Sequence, residues 1–526
     1  LLQLADHLPA EAAEALLELA TGGVPVISRP AAGEDPFAHP DAQRRFRVMA
    51  DVDALTQALD YPWEKWTVFL HPAQQQMVER DYTGPVRVSG SAGTGKTIVA
   101  LHRAVFLARH YPDCRVLLTT FSDTLANALH TKLRHLCSRD PRLAERLEVH
   151  AMNTIGQRLF ERNFGKANLV EKPQLLKLIA EASSLVAGHK FSLSFLLAEW
   201  EQVVDVWQLK SWEAYRDVKR LGRKTRLPEV QRQLLWSIFE RVLSSLEALQ
   251  LITAAEMFAQ LSARVQESKN PAFEFVVVDE AQDINVPQLR FLAALGGNRP
   301  NALFFAGDLG QRIFQQAFSW RSLGVDVRGR SRTLNVNYRT SHQIRMQADK
   351  LLGPEVSDVD GITECRGGTV SVFNGPKPEI HTFSSEVDES AYVAKWLKSL
   401  LQEGVLAHEI GVFVRSTAEV NAAINAVKAA GLDYKVLDDF VETVNGCVSI
   451  TTMHLAKGLE FRSVVVMACD DEVIPSQERI ENVTDDADLK DVYETERQLL
   501  YVACTRARDR LLVTSGGVPS EFLEDM

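Results

Sequence analysis

The stretch from Val86 to Ile98 holds residues suited to gripping a polyphosphate. Gly90, Ser91, Ala92, Gly93, Thr94, Gly95, Lys96 and Thr97 form a complete Gly-x-x-x-x-Gly-Lys-Thr pattern. Small residues let the backbone curl so that successive N–H groups point at the β- and γ-phosphates of a nucleotide. Lys96 adds a positive charge there, and Thr97 offers a hydroxyl to Mg²⁺. A second group of reactive side chains closes an apolar run: Phe275-Val276-Val277-Val278 leads into Asp279-Glu280-Ala281-Gln282-Asp283. Asp279 is placed to hold Mg²⁺ through water, and Glu280 to orient and deprotonate an attacking water. Two unpaired carboxylates at a buried strand tip are costly as mere structure. Gln74, ahead of the glycine-rich loop, offers a donor and an acceptor to an adenine edge, although a lone Gln is most often a solvated surface residue.

These residues need strands that end together. Val86 and Val88 alternate as a strand entering the loop, and Ile98-Val99-Ala100-Leu101-His102-Arg103 continues as a helix. Val116-Leu117-Leu118-Thr119-Thr120 and Ala302-Leu303-Phe304-Phe305-Ala306 read as further strands, the latter running into Gly307-Asp308-Leu309-Gly310-Gln311. Between about 155 and 265 the apolar spacing turns helical. From about 325 strand-like runs return: Thr333–Val336, Thr369–Phe373, Ile410–Val414, Val448–Thr451, Val464–Met467 and Leu511–Val513. This predicts a second doubly wound α/β domain without its own phosphate loop. Residues 1–60 read as a helical extension followed by a Pro- and Gly-rich linker.

The chain has 526 residues, 46% of them hydrophobic, with a formal net charge of −11. A nucleic-acid partner is not announced by global charge, so any such surface must be local. Lys210, Arg216, Lys219, Arg220, Arg223, Lys224 and Arg226 form a basic run in the helical region. A solvated face is the ordinary reading of such a run, and contact with phosphates the alternative. The six cysteines form no C-x-x-C pair, which points to reduced thiols in a cytoplasmic protein and away from zinc. There is no apolar run of membrane-spanning length and no signal-peptide pattern. A first residue Leu1 is consistent with a piece of a longer chain.

Taken in order, the motifs resemble those of superfamily 1 helicases of the UvrD/Rep type, from about Leu70 to Val513. Leu70-x-x-x-Gln74 resembles the Q motif and the glycine-rich loop motif I. Thr120-Phe121-Ser122 resembles motif Ia, Val277–Asp283 motif II, Gly307-Asp308-x-x-Gln311 motif III and Asn337-Tyr338-Arg339-Thr340 motif IV. Thr452–Phe461 resembles motif V and Glu496–Ala507 motif VI.

The resemblance implies two RecA-like P-loop NTPase domains, 1A at 61–154 with 266–324 and 2A at 325–526, and a helical 1B-type insertion at 155–265. It implies that Gln74 reads adenine while Tyr338 stacks on it. Lys96 and Glu280 act in hydrolysis, and Thr97 and Asp279 hold Mg²⁺. Gln311 senses the γ-phosphate, Arg339 and Arg506 act as arginine fingers, and Glu460 touches the ribose. Phe121 and His454 are expected along single-stranded DNA, with Asn153 and Thr154 in the place of motif Ib. Trp320 is either a base-stacking residue on a lengthened loop or a core residue. Arg220 and Arg223 are the candidates for accessory DNA contact.

There are departures from the family pattern. Ile98 stands where the family has Arg, and motif Ib reads Ala151-Met152-Asn153-Thr154. Only about 110 residues separate motif IV from motif V, which leaves little room for a 2B insertion. The expected activity is an ATP-driven, Mg²⁺-dependent translocase on single-stranded DNA, and a 3′→5′ helicase on tailed duplexes. The alternatives are a motor that remodels protein–nucleic acid complexes, or the ATPase module of a nuclease or defence system. A kinase is disfavoured by the acidic motif together with Thr505-Arg506-Ala507.

Overall fold

The computed structural model describes residues 70–526 apart from 138–139, 219–227, 269, 314–317, 354, 367, 439–441 and 482–485. The strands, in chain order, are β1 Val86–Ser89, β2 Val116–Thr120, β3 Leu147–Ala151, β4 Phe275–Val278, β5 Leu303–Ala306 and β6 Ser331–Thr333. They form one parallel six-stranded sheet in the order β3-β2-β4-β5-β1-β6. β7 Val336–Asn337, β8 Glu355–Ser357, β9 Thr363–Cys365 and β10 Val370–Ser371 are short: β7 pairs with β10 and β8 with β9. β11 Glu379–Thr382, β12 Ile410–Val414, β13 Tyr434–Val436, β14 Val448–Thr452, β15 Phe461–Val466 and β16 Ala507–Ser515 build a second parallel sheet, ordered β11-β16-β15-β12-β14-β13.

Helices cover both sheets, so the central strands are buried on both faces and consist of continuous apolar runs. Val276-Val277-Val278 and Val464-Val465-Val466 are almost wholly shielded from water. This is the doubly wound α/β architecture expected of two RecA-like domains. Both sheets also gain strands that the periodicity left unnoticed. β3, β11 and β13 are short or half-buried, so their apolar content is low.

Two expectations are corrected. The sequence pattern places the run Thr333–Val336 in the second domain. Instead, Ser331–Thr333 pairs with β1, so the first sheet extends beyond residue 324. Val336–Asn337 and Val370–Ser371 form a separate ribbon because each offers only two ladder residues and lies outside the second sheet. In the helical region, Met152–Phe164 and Ala254–Glu267 pack on the first sheet, through Met152, Ile155, Phe160, Met257 and Phe258. A separate helical core is built from residues between Leu175 and Leu246, around Trp200, Tyr215 and Phe239. The expected insertion 155–265 therefore takes in two helices that belong to the first sheet's layer. No helix among the described residues is long and apolar enough to cross a membrane.

Candidate nucleotide cleft and strand-contact surface

The glycine-rich loop leaves β1 at its carboxyl end and enters the helix Lys96–His110. Gly93 and Gly95 have φ of 83° and 84°, a region open to glycine and strained for other residues. Space demands glycine as well: a Cβ at Gly93 would stand 2.5 Å from Asn337 Oδ1, and one at Gly95 2.5 Å from Gln74 Nε2. Lys96 Nζ donates to the carbonyls of Gly90 (2.7 Å) and Ser91 (3.0 Å) and lies 3.8 Å from Asp308 Oδ2. Burial lowers its pKa, while Asp308 and Glu280 oppose the shift.

The helix Pro72–Glu79 brings Gln74 against this loop. Arg103, from the loop's own helix, fixes its end by donating to the carbonyls of Val78 and Arg80. Gln74 Nε2 donates to Thr94 O at 3.2 Å, and its Oε1 accepts from the His71 N–H at 2.9 Å. The Tyr338 ring lies 6.1 Å from the His71 ring, tilted by 48°.

β4 ends at Asp279 and Glu280. Glu280 takes φ 53° and ψ 43°, a left-handed conformation that costs a non-glycine residue about 1–2 kcal/mol. Asp279 hydrogen-bonds the Thr97 hydroxyl. Burial, and then the Glu280 charge, push its carboxyl up to about 7. Burial also works to raise Glu280, but Lys457 and Lys96 prevail and hold it below the usual carboxylate range. The two adjacent acids are thus driven apart, one toward neutrality and one toward full charge. The Thr97 hydroxyl and the Asp279 carboxylate are hard oxygen donors that suit Mg²⁺. Among the described residues no group of three His, Cys, Asp or Glu is placed to hold a metal. Phosphate and water oxygens would complete such a shell, as is usual for Mg²⁺ with nucleotides.

Gln311 joins the two halves. Its Nε2 donates to Asp308 Oδ2 (2.7 Å), its Oε1 accepts from Arg506 Nη2 (3.0 Å), and its backbone carbonyl accepts from Lys457 Nζ (3.1 Å). Arg506 is buried, and desolvation followed by Arg339 lowers its pKa to about 10. Arg339 pairs with Glu460 at 2.7 Å and reaches Thr505 O at 3.4 Å. Motif IV touches the loop through its backbone and Asn337: Tyr338 N donates to Gly93 O (2.9 Å) and Asn337 Nδ2 to Ala92 O (2.7 Å).

Residues 70–322 match the family described as the UvrD/REP helicase N-terminal domain, and residues 438–516 the UvrD-like helicase C-terminal domain. The chain belongs to the UvrD/REP helicase family. The ATP-dependent DNA helicase UvrD2 of Mycobacterium tuberculosis is 25% identical over 377 residues, covering 67% of this chain and 53% of that protein. The ATP-dependent DNA helicase PcrA of Staphylococcus epidermidis is 22% identical over 391 residues, covering 69% and 50%. A probable DNA helicase of Mycoplasma pneumoniae is 26% identical over 266 residues, covering 48% and 46%. The chain spans about half the length of the curated relatives it matches.

The strand-contact candidates of this UvrD-like chain are more scattered. Phe121 is half-buried, with Lys457 Nζ 5.5 Å from its ring centroid. His454 is half-buried, and burial followed by Arg415 lowers its pKa to about 4. Asn153 Oδ1 accepts from Gln288 Nε2 (3.1 Å), and the Thr154 hydroxyl donates to Asp123 (2.6 Å); both residues are exposed. Trp320 is half-buried: it packs edge-on against Phe305, centroids 4.8 Å apart, against the core beneath the first sheet, with Arg87 5.8 Å from its ring. These neighbours favour the core role of the two expected. Arg220 and Arg223 lie outside the described residues.

Sequence reasoning gave no role to Lys457, Asp308 or Arg366. Lys457 is buried and ion-paired with Asp283 and, at 3.5 Å, with Glu280. A lysine inside the otherwise small or apolar Leu455-Ala456-Lys457-Gly458 turn was the available signal. Arg366 sits in none of the motifs, and no spacing points to it.

Proposed function

We propose that this chain is an ATP-driven motor on single-stranded DNA that moves and unwinds 3′→5′. ATP binds with Mg²⁺ between the two sheets, its phosphates on the loop of Lys96. Thr97 and Asp279 would hold the ion, which would neutralise phosphate charge when bound. Glu280 takes the proton of the attacking water, and Arg339 and Arg506 stabilise the charge that develops on the transferred phosphoryl group. Gln74 and Tyr338 receive the base, and Glu460 the ribose. The observation that supports this most directly is Gln311, bonded at once to Asp308 beside Lys96, to Arg506, and to the Lys457 that lies over Phe121. A change at the γ-phosphate is thereby felt by the second sheet and by the strand-side residues. ATP-driven closing and reopening of the cleft would advance the strand.

The deciding experiment is ATP turnover with and without single-stranded DNA, followed by unwinding of duplexes with a 3′ or a 5′ tail. DNA-independent turnover would sink the coupling, and preference for the 5′ tail the polarity. A second reading has one observation in its favour. The described residues between Thr340 and Thr452 go into the second sheet, its helices, the β8–β9 hairpin and the short strand β10. A motor without an accessory domain there would translocate and displace bound proteins while unwinding poorly. Translocation without strand separation on either substrate would favour it.

A further inference from the structure

Residues 355–366 follow the helix His342–Asp349 in the second half of the chain, yet their charged side chains contact the first sheet. β8 and β9 close as an antiparallel hairpin. Asp358 and Glu364 take the two ends of the buried Arg87 guanidinium, at 2.7 and 2.6 Å. Asp360 accepts from the Arg321 N–H at 3.1 Å. Just beyond β9, Arg366 Nη2 donates to Asp308 Oδ1 at 2.7 Å, with side chains 3% and 0% exposed. The same guanidinium lies 4.9 Å from the Tyr501 ring centroid and 3.7 Å from Asp349. It also crosses Gly310 so closely that a Cβ there would stand 1.8 Å from Nη2.

Asp308 therefore sits among four partners. Oδ1 accepts from Arg366 Nη2 and from the Gly310 N–H at 2.9 Å; Oδ2 accepts from Gln311 Nε2 at 2.7 Å and lies 3.8 Å from Lys96 Nζ. We propose that Arg366 is a positioning residue for ATP hydrolysis: by neutralising Asp308 it keeps Lys96 available to phosphate and holds the Gln311 amide in line. The proposal rests on the nucleotide-site reading above. Its logic is competition between charges in a dry site. The Gly310 and Gln311 N–H donors are neutral, and a buried carboxylate without a balancing charge is strongly disfavoured and recruits the nearest cation. With Arg366 gone, that cation is Lys96, drawn away from the phosphates it must hold. Burial would raise the Asp308 pKa, but the Arg366 charge, ahead of that of Lys96, holds it low.

The test uses the full chain, with ATP turnover, mant-ADP binding and circular dichroism. Arg366→Gln is expected to lower kcat at least tenfold while mant-ADP affinity stays within about threefold. Arg366→Lys should recover most of kcat. Adding Asp308→Asn to Arg366→Gln should recover part of it, because a neutral amide has no hold on Lys96. Gly310→Ala displaces the guanidinium without removing it and should reproduce the kcat loss, so it carries the test alone if Arg366→Gln fails to fold. A wild-type kcat in both Arg366→Gln and Gly310→Ala, with Lys96→Ala inactive, overturns the role of Arg366 and leaves the nucleotide site standing. A kcat loss that neither Arg366→Lys nor Asp308→Asn relieves also overturns it, since that is the mark of a packing role. Turnover that survives Lys96→Ala overturns the nucleotide site itself.

Discussion

The nucleotide cleft and the strand-contact surface differ in how their candidate residues are held. In the cleft, Lys96, Asp279, Gln311 and Arg506 are each less than a tenth exposed and are joined by short bonds to one another or to the loop. On the strand side, Asn153 and Thr154 are exposed, and Phe121, His454 and Trp320 are half-buried, the last packed against the core beneath the first sheet. Hydrolysis needs charges fixed in a dry site before the substrate arrives. A strand that slides past needs contacts that tolerate every base and release quickly. On the proposed function, the first demand accounts for the converged cluster and the second for the loose set.

The sharpest way to break this contrast is to remove chemistry from the cleft. Lys96→Ala is expected to bring ATP turnover to background. Glu280→Gln should lower kcat by about 10²–10⁴-fold, the usual contribution of a general base, with ATP still bound. Steady-state turnover and equilibrium nucleotide binding check both. Arg506→Ala comes next, with kcat expected to fall about 10³-fold, as for loss of an arginine finger. Because Arg506 also orients Gln311, stimulation by DNA should fall with the basal rate. Loss of only one of the two would separate the finger from the coupling.

Lys457 belongs to both regions, which makes it the test of where one ends. It pairs with Asp283 and Glu280 and lies over Phe121. Lys457→Met leaves Asp283 buried without its cation, and breaking such a pair costs about 3–5 kcal/mol. Urea unfolding should show that loss, and the added change Asp283→Asn should restore most of it. If stability returns in the double variant and DNA-stimulated turnover does not, Lys457 transmits between the regions as well as filling the core.

Much of this was legible because phosphate chemistry leaves little freedom. The spacing from Gly90 to Thr97 dictates backbone curvature, and Asp279-Glu280 after three valines dictates a strand tip. The two sheets were legible where strands are buried on both faces, as in β4, β5, β12 and β15. What was not legible depends on meetings across long stretches of chain. Arg87 falls at the polar position between Val86 and Val88, and its burial depends on Asp358 and Glu364 from far along the chain. Arg366 meets Asp308 from 58 residues away, and no local pattern encodes that. Trp320 could serve DNA or core on sequence alone, since an aromatic side chain suits both.

His454 offers a pH test of the strand side. Its folded pKa, lowered to about 4, lies below the ordinary value near 6.5. The unfolded chain therefore binds the proton first, and the stability that neutral His454 contributes is present above pH 6.5. It is lost as pH falls from about 6.5 toward 4. Wild-type protein should lose unfolding free energy over that window, and His454→Gln should lose less. A cationic contact to phosphate would instead make DNA affinity rise as pH falls through 6.5 in a His454-dependent way. Anisotropy titrations at pH 7.5 and 5.8 distinguish the two.

The smallest effect is expected at Trp320, where the two regions compete for one side chain. As a stacking platform it would contribute about 1–3 kcal/mol per base, so its removal would weaken DNA binding roughly tenfold or more. Its observed neighbours point the other way. The ring meets Phe305 edge-on at 4.8 Å and lies in a cluster with Leu289, Phe291 and Val325, while Arg87 covers it. Trp320→Leu keeps an apolar side chain but loses the edge-to-face contact, a change worth about 0.5–1.5 kcal/mol beyond area. The expected outcome is a lowered unfolding free energy of that order and an oligo(dT) affinity within twofold of wild type. Measuring both on the same preparation decides the matter: a tenfold affinity loss at unchanged stability would return Trp320 to the strand surface.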